Sequence, residues 1–282
     1  MKLILIEGIP GSGKTTTARL LSDYYISLGK KVAMYTEGSL HPVDLAWCAV
    51  MTEDEYHDAC EQCFEVLDAI VLNTKRLDDM YVVAYTNIGL PMKDTRIVKL
   101  FEPCEVYGGR VGMDTFIDLH RKLWADFVSK EHMEDVIIFE CSYLQNQVVE
   151  LMLIYDCDEQ TIIREVSDLL PCSVDIETEL VYLDTHDVKE TIDRLAKQRV
   201  SVDKSRHDDW IDRVFEYIKS SRYGKRQGCT SMEDVYTFFK KRMAIEHAIM
   251  NRLDINKHII GNFDFDWDLR WMRIKESLVG KE

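Results

Sequence analysis

What this 282-residue chain lacks narrows the field first. It has no apolar run of the roughly 20 residues needed to span a bilayer, and the nearest candidates are short pieces such as Val148–Tyr155. Its leading apolar run is only Leu3–Ile6, followed by Glu7, so no secretory leader and no membrane partner are expected and the chain is expected to be cytoplasmic. Positive charge is in deficit: 35 Lys and Arg stand against 50 Asp and Glu, a net charge of −15. General nucleic-acid binding is therefore not expected, because it relies on Lys and Arg to neutralise phosphates. Cysteines at metal-like spacing are nearly absent. The eight cysteines are scattered, and the pair Cys60 and Cys63 falls in a helical pattern with no second Cys or His pair. They read as reduced thiols, not as staples or zinc ligands. Repeats, low-complexity tracts and linkers are missing too, which leaves one α/β domain over residues 1–282 as the expectation.

What is present is concentrated at the start. The apolar run Lys2–Glu7 breaks into Gly8-Ile9-Pro10-Gly11-Ser12-Gly13-Lys14-Thr15-Thr16, and an amphipathic segment continues through Ala18, Leu21, Tyr25 and Leu28. This reads as strand, glycine loop, helix. The spacing Gly8-x-x-x-x-Gly13-Lys14-Thr15 is the phosphate-loop pattern. Glycines allow successive backbone N–H groups to turn inward as an anion nest at the positive end of a helix, with no Cβ in the way. Gly8, Pro10, Gly11, Ser12, Gly13, Lys14, Thr15 and Thr16 are thus expected to line a polyphosphate. Lys14 is expected on the β- and γ-phosphates, Thr15 on the Mg²⁺ that bridges them, and Thr16 on the α-phosphate. The loop implies nucleotide binding and leaves the chemistry open, since many activities share it.

Further along, Gly29 reads as a helix cap and Val32–Tyr35 as a second strand. Glu37 follows that strand, at the sheet end where ligands bind in open parallel sheets. Residues 52–134 read as a helical substrate-binding insertion with one β-rich run, 81–86; Tyr81, Tyr85, Arg96, Tyr107, Arg110 and Asp114 are its polar or aromatic candidates. The run Asp135–Tyr143 reads as a strand buried on both faces, and Glu140 at its end is the metal-side candidate. A fourth strand is expected at Thr178–Asp184 and a fifth at His258–Ile260, with helices between and after them. Residues 194–228 are dense in cations, as a mobile arginine-bearing lid for phosphoryl transfer would be, and Arg199 and Arg206 are the candidates. Interleaved Asp203, Asp208, Asp209, Asp212 and Glu216 leave a salt-bridged helix surface open as the other reading.

With these pieces in order, the chain resembles the nucleoside and nucleotide kinase branch of phosphate-loop proteins, which includes deoxynucleoside and thymidylate kinases. The likeness rests on Gly8–Thr16, on Thr36-Glu37 with Trp47, on Phe139–Tyr143, and on Leu183-Asp184 with the arginine-bearing segment. It implies a P-loop NTPase three-layer α/β sandwich with a five-stranded, mostly parallel sheet and a helical substrate and lid insertion. It also implies an ATP- and Mg²⁺-dependent phosphotransferase acting on a small-molecule acceptor of nucleoside or nucleotide type. Lys14, Glu37, Arg199 and Arg206 would be its catalytic residues, with Glu37 as general base, and Thr15 and Glu140 would hold the metal. Two positions depart from the pattern: Gly38 stands where those kinases carry proline, and Cys141 where they carry arginine. A GTPase is disfavoured, because neither Asn-Lys-x-Asp nor a suitably placed Asp-x-x-Gly occurs. An ATPase or nucleotide-dependent switch is the alternative, although such proteins would carry Asp-Glu where this chain has Phe139-Glu140. A homodimer is compatible with all of this.

Overall fold

Short apolar strands alternating with amphipathic helices build an α/β structure, seen in a computed structural model that describes residues 1–88, 95–170, 176–203, 208–261 and 266–279. The strands are β1 (Lys2–Glu7), β2 (Val32–Tyr35), β3 (Ala49–Met51), β4 (Thr74–Leu77), β5 (Met80–Val83), β6 (Val136–Glu140), β7 (Glu177–Asp184) and β8 (Asn256–Gly261). The chain divides into two compact units, the first comprising Met1–Met34, His132–Asp168 and Cys172–Glu282, the second Tyr35–Glu131 and Leu169–Pro171.

The first unit carries a five-stranded sheet in the order β2-β6-β1-β7-β8. β1 pairs in parallel with β6 on one side and β7 on the other, and β7 pairs in parallel with β8. Chain order therefore reverses at β1, and the crevice beyond its carboxyl end is the topological switch point where open α/β sheets hold ligands. Leu3, Ile4, Leu5 and Ile6 are all buried, as expected of a central strand covered on both faces. Register places Ile6 beside Glu140 and Glu7 beside Tyr182.

Helix Lys14–Ser27 lays Ala18, Leu21 and Tyr25 on Ile4, Ile6 and Ile138, joined by Ile274 and Leu278 of the last helix, Trp267–Val279. The N–H of Gly29 donates to the Ile26 carbonyl and that of Lys30 to the Tyr25 carbonyl, a Schellman ending that meets the expected cap.

In the second unit the order β3-β5-β4 forms a three-stranded antiparallel sheet. The ambiguous run at 81–86 contributes β5, and β4 lies in a stretch read as helix. Thr74–Leu77 and Met80–Val83 form a hairpin across Asp78 and Asp79, Asp78 taking φ 53°, a conformation Asp tolerates in a tight turn. Helix Glu53–Gln62 opens with a capping box of Thr52 and Glu55. Helix Met113–Ser129 buries Phe116, Ile117, His120, Leu123, Trp124 and Phe127 along one stripe.

Cys48, Cys60, Cys63, Cys104, Cys141, Cys157 and Cys229 form no disulfide among the described residues; Cys172 lies outside them. Among the described residues no helix is long and apolar enough to cross a membrane, and no cluster of three His, Cys, Asp or Glu could hold a metal by itself.

Candidate functional site

The glycine loop leaves β1 at its carboxyl end. Gly8 has φ +142°, and a Cβ there would lie 2.6 Å from the Leu183 carbonyl oxygen of β7, so only glycine fits this exit. The Ser12 N–H closes a turn on the Ile9 carbonyl at 3.2 Å, and Gly13, with φ 97°, starts helix Lys14–Ser27. That helix has no acidic residue in its first turn and no side-chain cap. Its positive end is therefore not offset by a carboxylate of its own first turn.

Lys14 is buried, and its Nζ donates to the Gly8 carbonyl at 2.9 Å and the Ile9 carbonyl at 3.1 Å. Its ammonium is thus held inside the loop, and no carboxylate among the described residues pairs with it. Thr15 and Thr16 are exposed on the first helical turn. Thr15 Oγ1 donates to Glu140 Oε1 at 3.0 Å, which joins the loop to the end of β6. The Cys141 thiol lies 3.2 Å from the same carboxylate oxygen, on a residue with φ 69°. Three buried hydroxyls, Ser12 Oγ, Thr17 Oγ1 and Ser142 Oγ, have no hydrogen-bond partner. Buried hydroxyls ordinarily find one. Their positions in the loop, in its helix and beside Glu140 fit a polar ligand with a metal ion.

A buried network behind the loop was not read from the sequence. Arg242, on helix Met232–Arg252, is 1% exposed; its Nη2 donates to the Gly8 carbonyl at 3.1 Å and Gln145 Oε1 at 3.4 Å, and its Nε to Glu246 Oε1 at 2.6 Å. Tyr182 of β7 donates its hydroxyl to Glu246 Oε2 at 2.6 Å. Glu7 accepts the Tyr143 N–H at 2.7 Å and the Gln145 N–H at 3.1 Å. Loop, β6 exit and β7 are thereby tied together by side chains whose i,i+4 spacing in sequence is indistinguishable from a solvated surface pair.

Of the other expected residues, Arg199 is exposed, its guanidinium 5.7 Å from the centre of the Trp210 indole. Arg206 falls outside the described residues. At the end of β7, Asp184 pairs with His247 at 3.6 Å; burial opposes ionisation of Asp184, but the hydrogen bond and charge of His247 hold its carboxyl below the usual range. Glu37 is exposed in the turn of the second unit that follows β2, where Ser39 bonds back to the Thr36 carbonyl.

Most of the second unit's own candidates are engaged within it. Tyr85 donates to Glu105 at 2.6 Å, Arg110 pairs with Glu105 at 2.7 Å, and Arg96 pairs with Glu65 at 2.9 Å. Tyr107 donates to Asp44 at 2.7 Å, Tyr81 stacks on Tyr56 at 4.2 Å, and Asp114 is exposed at a helix start.

No protein-family model matches the chain, and no curated protein matches it. Among solved structures it is similar to EHV4-TK, a herpesvirus thymidine kinase crystallised in complex with TP4A. The identity is 12%, the match covers 97% of this chain and 89% of that one, and the TM-score is 0.36. A likeness at that TM-score carries no argument about chemistry, which rests on the geometry of the loop.

Proposed function

We propose that this chain is a phosphate-loop phosphotransferase that moves the γ-phosphate of ATP to a small-molecule acceptor of nucleoside or nucleotide type. One observation carries the reading: a buried Lys14 ammonium held on loop carbonyls with no carboxylate partner among the described residues, beside a hydrogen bond from Thr15, in the first turn of the helix, to Glu140 at the end of β6. A glycine turn serving only to connect strand and helix has no need to bury a cation without a counter-ion, which is costly. A polyphosphate supplies that counter-ion.

Bound ATP·Mg²⁺ would contribute the transferable phosphoryl group and a metal charge that offsets charge developing in transfer. On this reading Lys14 releases the Gly8 and Ile9 carbonyls to take phosphate oxygens, while loop N–H groups from Gly11 to Thr16 hold the chain of phosphates in place. Thr15 and Glu140 are the protein groups on the metal side. Hard cations prefer oxygen donors, and magnesium is commonly held by one or two protein groups with water and phosphate completing its shell. Glu37 is proposed as the base that takes the acceptor hydroxyl proton, on sequence grounds, and Arg199 with Arg206 as cations that stabilise the transferring group.

Kinetics with loop and base variants test this. Lys14→Ala should lose turnover while keeping its far-ultraviolet circular dichroism; near-normal turnover contradicts the scheme. Glu37→Gln should lower kcat by about 10²–10⁴ with little change in ATP affinity. An equal loss in both places Glu37 in binding instead.

A further inference from the structure

The last helix brings a second uncompensated cation to the glycine loop. Arg270 is 3% exposed, and its Nη1 donates to the Ser12 carbonyl at 2.6 Å. Its Nε and Nη2 are buried and have no hydrogen-bond partner. Among the described residues no carboxylate pairs with it. Burial and the nearby charge of Arg194 lower its pKa to about 10, still far above neutrality, so the guanidinium stays charged.

The position of this side chain is specific. Its guanidinium sits 5.1 Å from the centre of the Trp267 indole, and the two side chains cover Gly13. A Cβ on Gly13 would lie 2.5 Å from Trp267 Cη2 and 2.9 Å from Arg270 Nη1. Ser12 Oγ, in the same turn, is also buried without a partner. Two unused guanidinium donors thus lie against the turn whose backbone opens the helix at Lys14. A buried arginine repelled by a second arginine, its guanidinium donating to one carbonyl alone among the described residues, is an arrangement an anion stabilises.

We propose that Arg270 is a phosphate ligand, donating to a phosphate group of the nucleotide that the glycine loop holds, so that the last helix supplies a cationic contact additional to Lys14. The inference rests on the nucleotide reading above. It assigns the Trp267–Arg270 pair a binding role, with the indole fixing the guanidinium plane and Ser12 its azimuth.

Isothermal titration of the full chain with Mg·ATP and with inorganic triphosphate, alongside thermal unfolding without nucleotide, tests it. Arg270→Met keeps the stem on Trp267 and removes the charge; it should weaken both ligands about tenfold to a hundredfold, the range of a hydrogen bond to a charged group. Its nucleotide-free Tm should stay level or rise, because an uncompensated buried charge is gone. Arg270→Lys should recover part of the affinity. Wild type that binds ATP while Arg270→Met binds it equally well overturns the inference and leaves the nucleotide reading standing. So does a loss confined to ATP with triphosphate unaffected, which puts Arg270 on another part of the nucleotide, or a nucleotide-free Tm that falls along with both affinities, which makes it structural. Wild type that binds no nucleoside triphosphate overturns the nucleotide reading and this inference together.

Discussion

Glu7 shows at the scale of one residue how the loop is fixed. It is fully buried at the last position of β1 and accepts N–H groups from the chain leaving β6. Burial pushes its carboxyl up to about 7, the Tyr143, Leu144 and Gln145 N–H groups pull the other way, and the charge of Glu246 adds to the rise. The folded state therefore binds this proton more tightly than the unfolded chain, whose carboxyl titrates near 4.5. Stability contributed by that proton is fully present below the unfolded value and is lost as pH rises from there through about 7. At 1.36 kcal/mol per unit the loss amounts to about 3 kcal/mol at most. Glu7→Gln should flatten this part of the stability curve, measured by urea unfolding between pH 5 and pH 8, with the two proteins converging at the acid end. A wild-type curve no steeper than that of the variant contradicts the assignment. Glu7 stands in the same run as the phosphate-loop pattern, yet its role could not be read there. The pattern gives tasks to Gly8, Lys14 and Thr15, while the partners of Glu7 come from residues 143 and 145, which only the tertiary fold brings close.

At the scale of elements, helix Met232–Arg252 acts as a brace. Through Arg242 it holds the Gly8 carbonyl, and through Glu246 it holds Tyr182 of β7. Arg242→Met leaves Glu246 as a buried charge without its partner and should cost about 3–5 kcal/mol in chemical denaturation. Adding Glu246→Leu should return a substantial part of that loss; simply additive losses would contradict a coupled pair.

The central strands were legible because β1 and β6 are buried almost throughout and read as apolar runs, and β7 carries the buried apolar run Leu180–Leu183. β4 was not, since Thr74–Leu77 is short, polar and half exposed, and its pairing with β5 decides its state. The arginine-bearing segment was legible only as charge. Its described part includes helices Trp210–Ser220 and Arg222–Gln227, with Arg226 bidentate on Asp156 at 2.5 and 2.7 Å and Lys219 paired with Glu216 at 3.1 Å. Arg226 and Lys219 are thus paired with carboxylates, as an ordinary helix surface would have them.

For the whole molecule, a chain of net charge −15 gains nothing from its overall field in attracting a phosphate-bearing ligand. Affinity has to come from local, oriented donors. Lys14, Arg242 and Arg270 are the buried cations of the first unit that donate to carbonyls of residues 8–12, and on the proposed reading Lys14 and Arg270 meet that need. Among the described residues Lys14 and Arg270 have no carboxylate partner and Arg242 has Glu246, which is why Arg242 is read as a brace and the other two are proposed as ligands. On the proposed reading the choice of acceptor lies with residues that no motif marks, so the sequence is far more explicit about the donor than about what would receive the phosphate.

The most direct measurement supplies the protein with ATP labelled at the γ-phosphate, Mg²⁺ and a pool of nucleosides and nucleotides, and identifies labelled species by mass spectrometry. A new phosphorylated acceptor is expected, and it should disappear with Lys14→Ala. Label appearing only as inorganic phosphate, with no acceptor product, would contradict the phosphotransferase reading and favour an ATPase or nucleotide-driven switch.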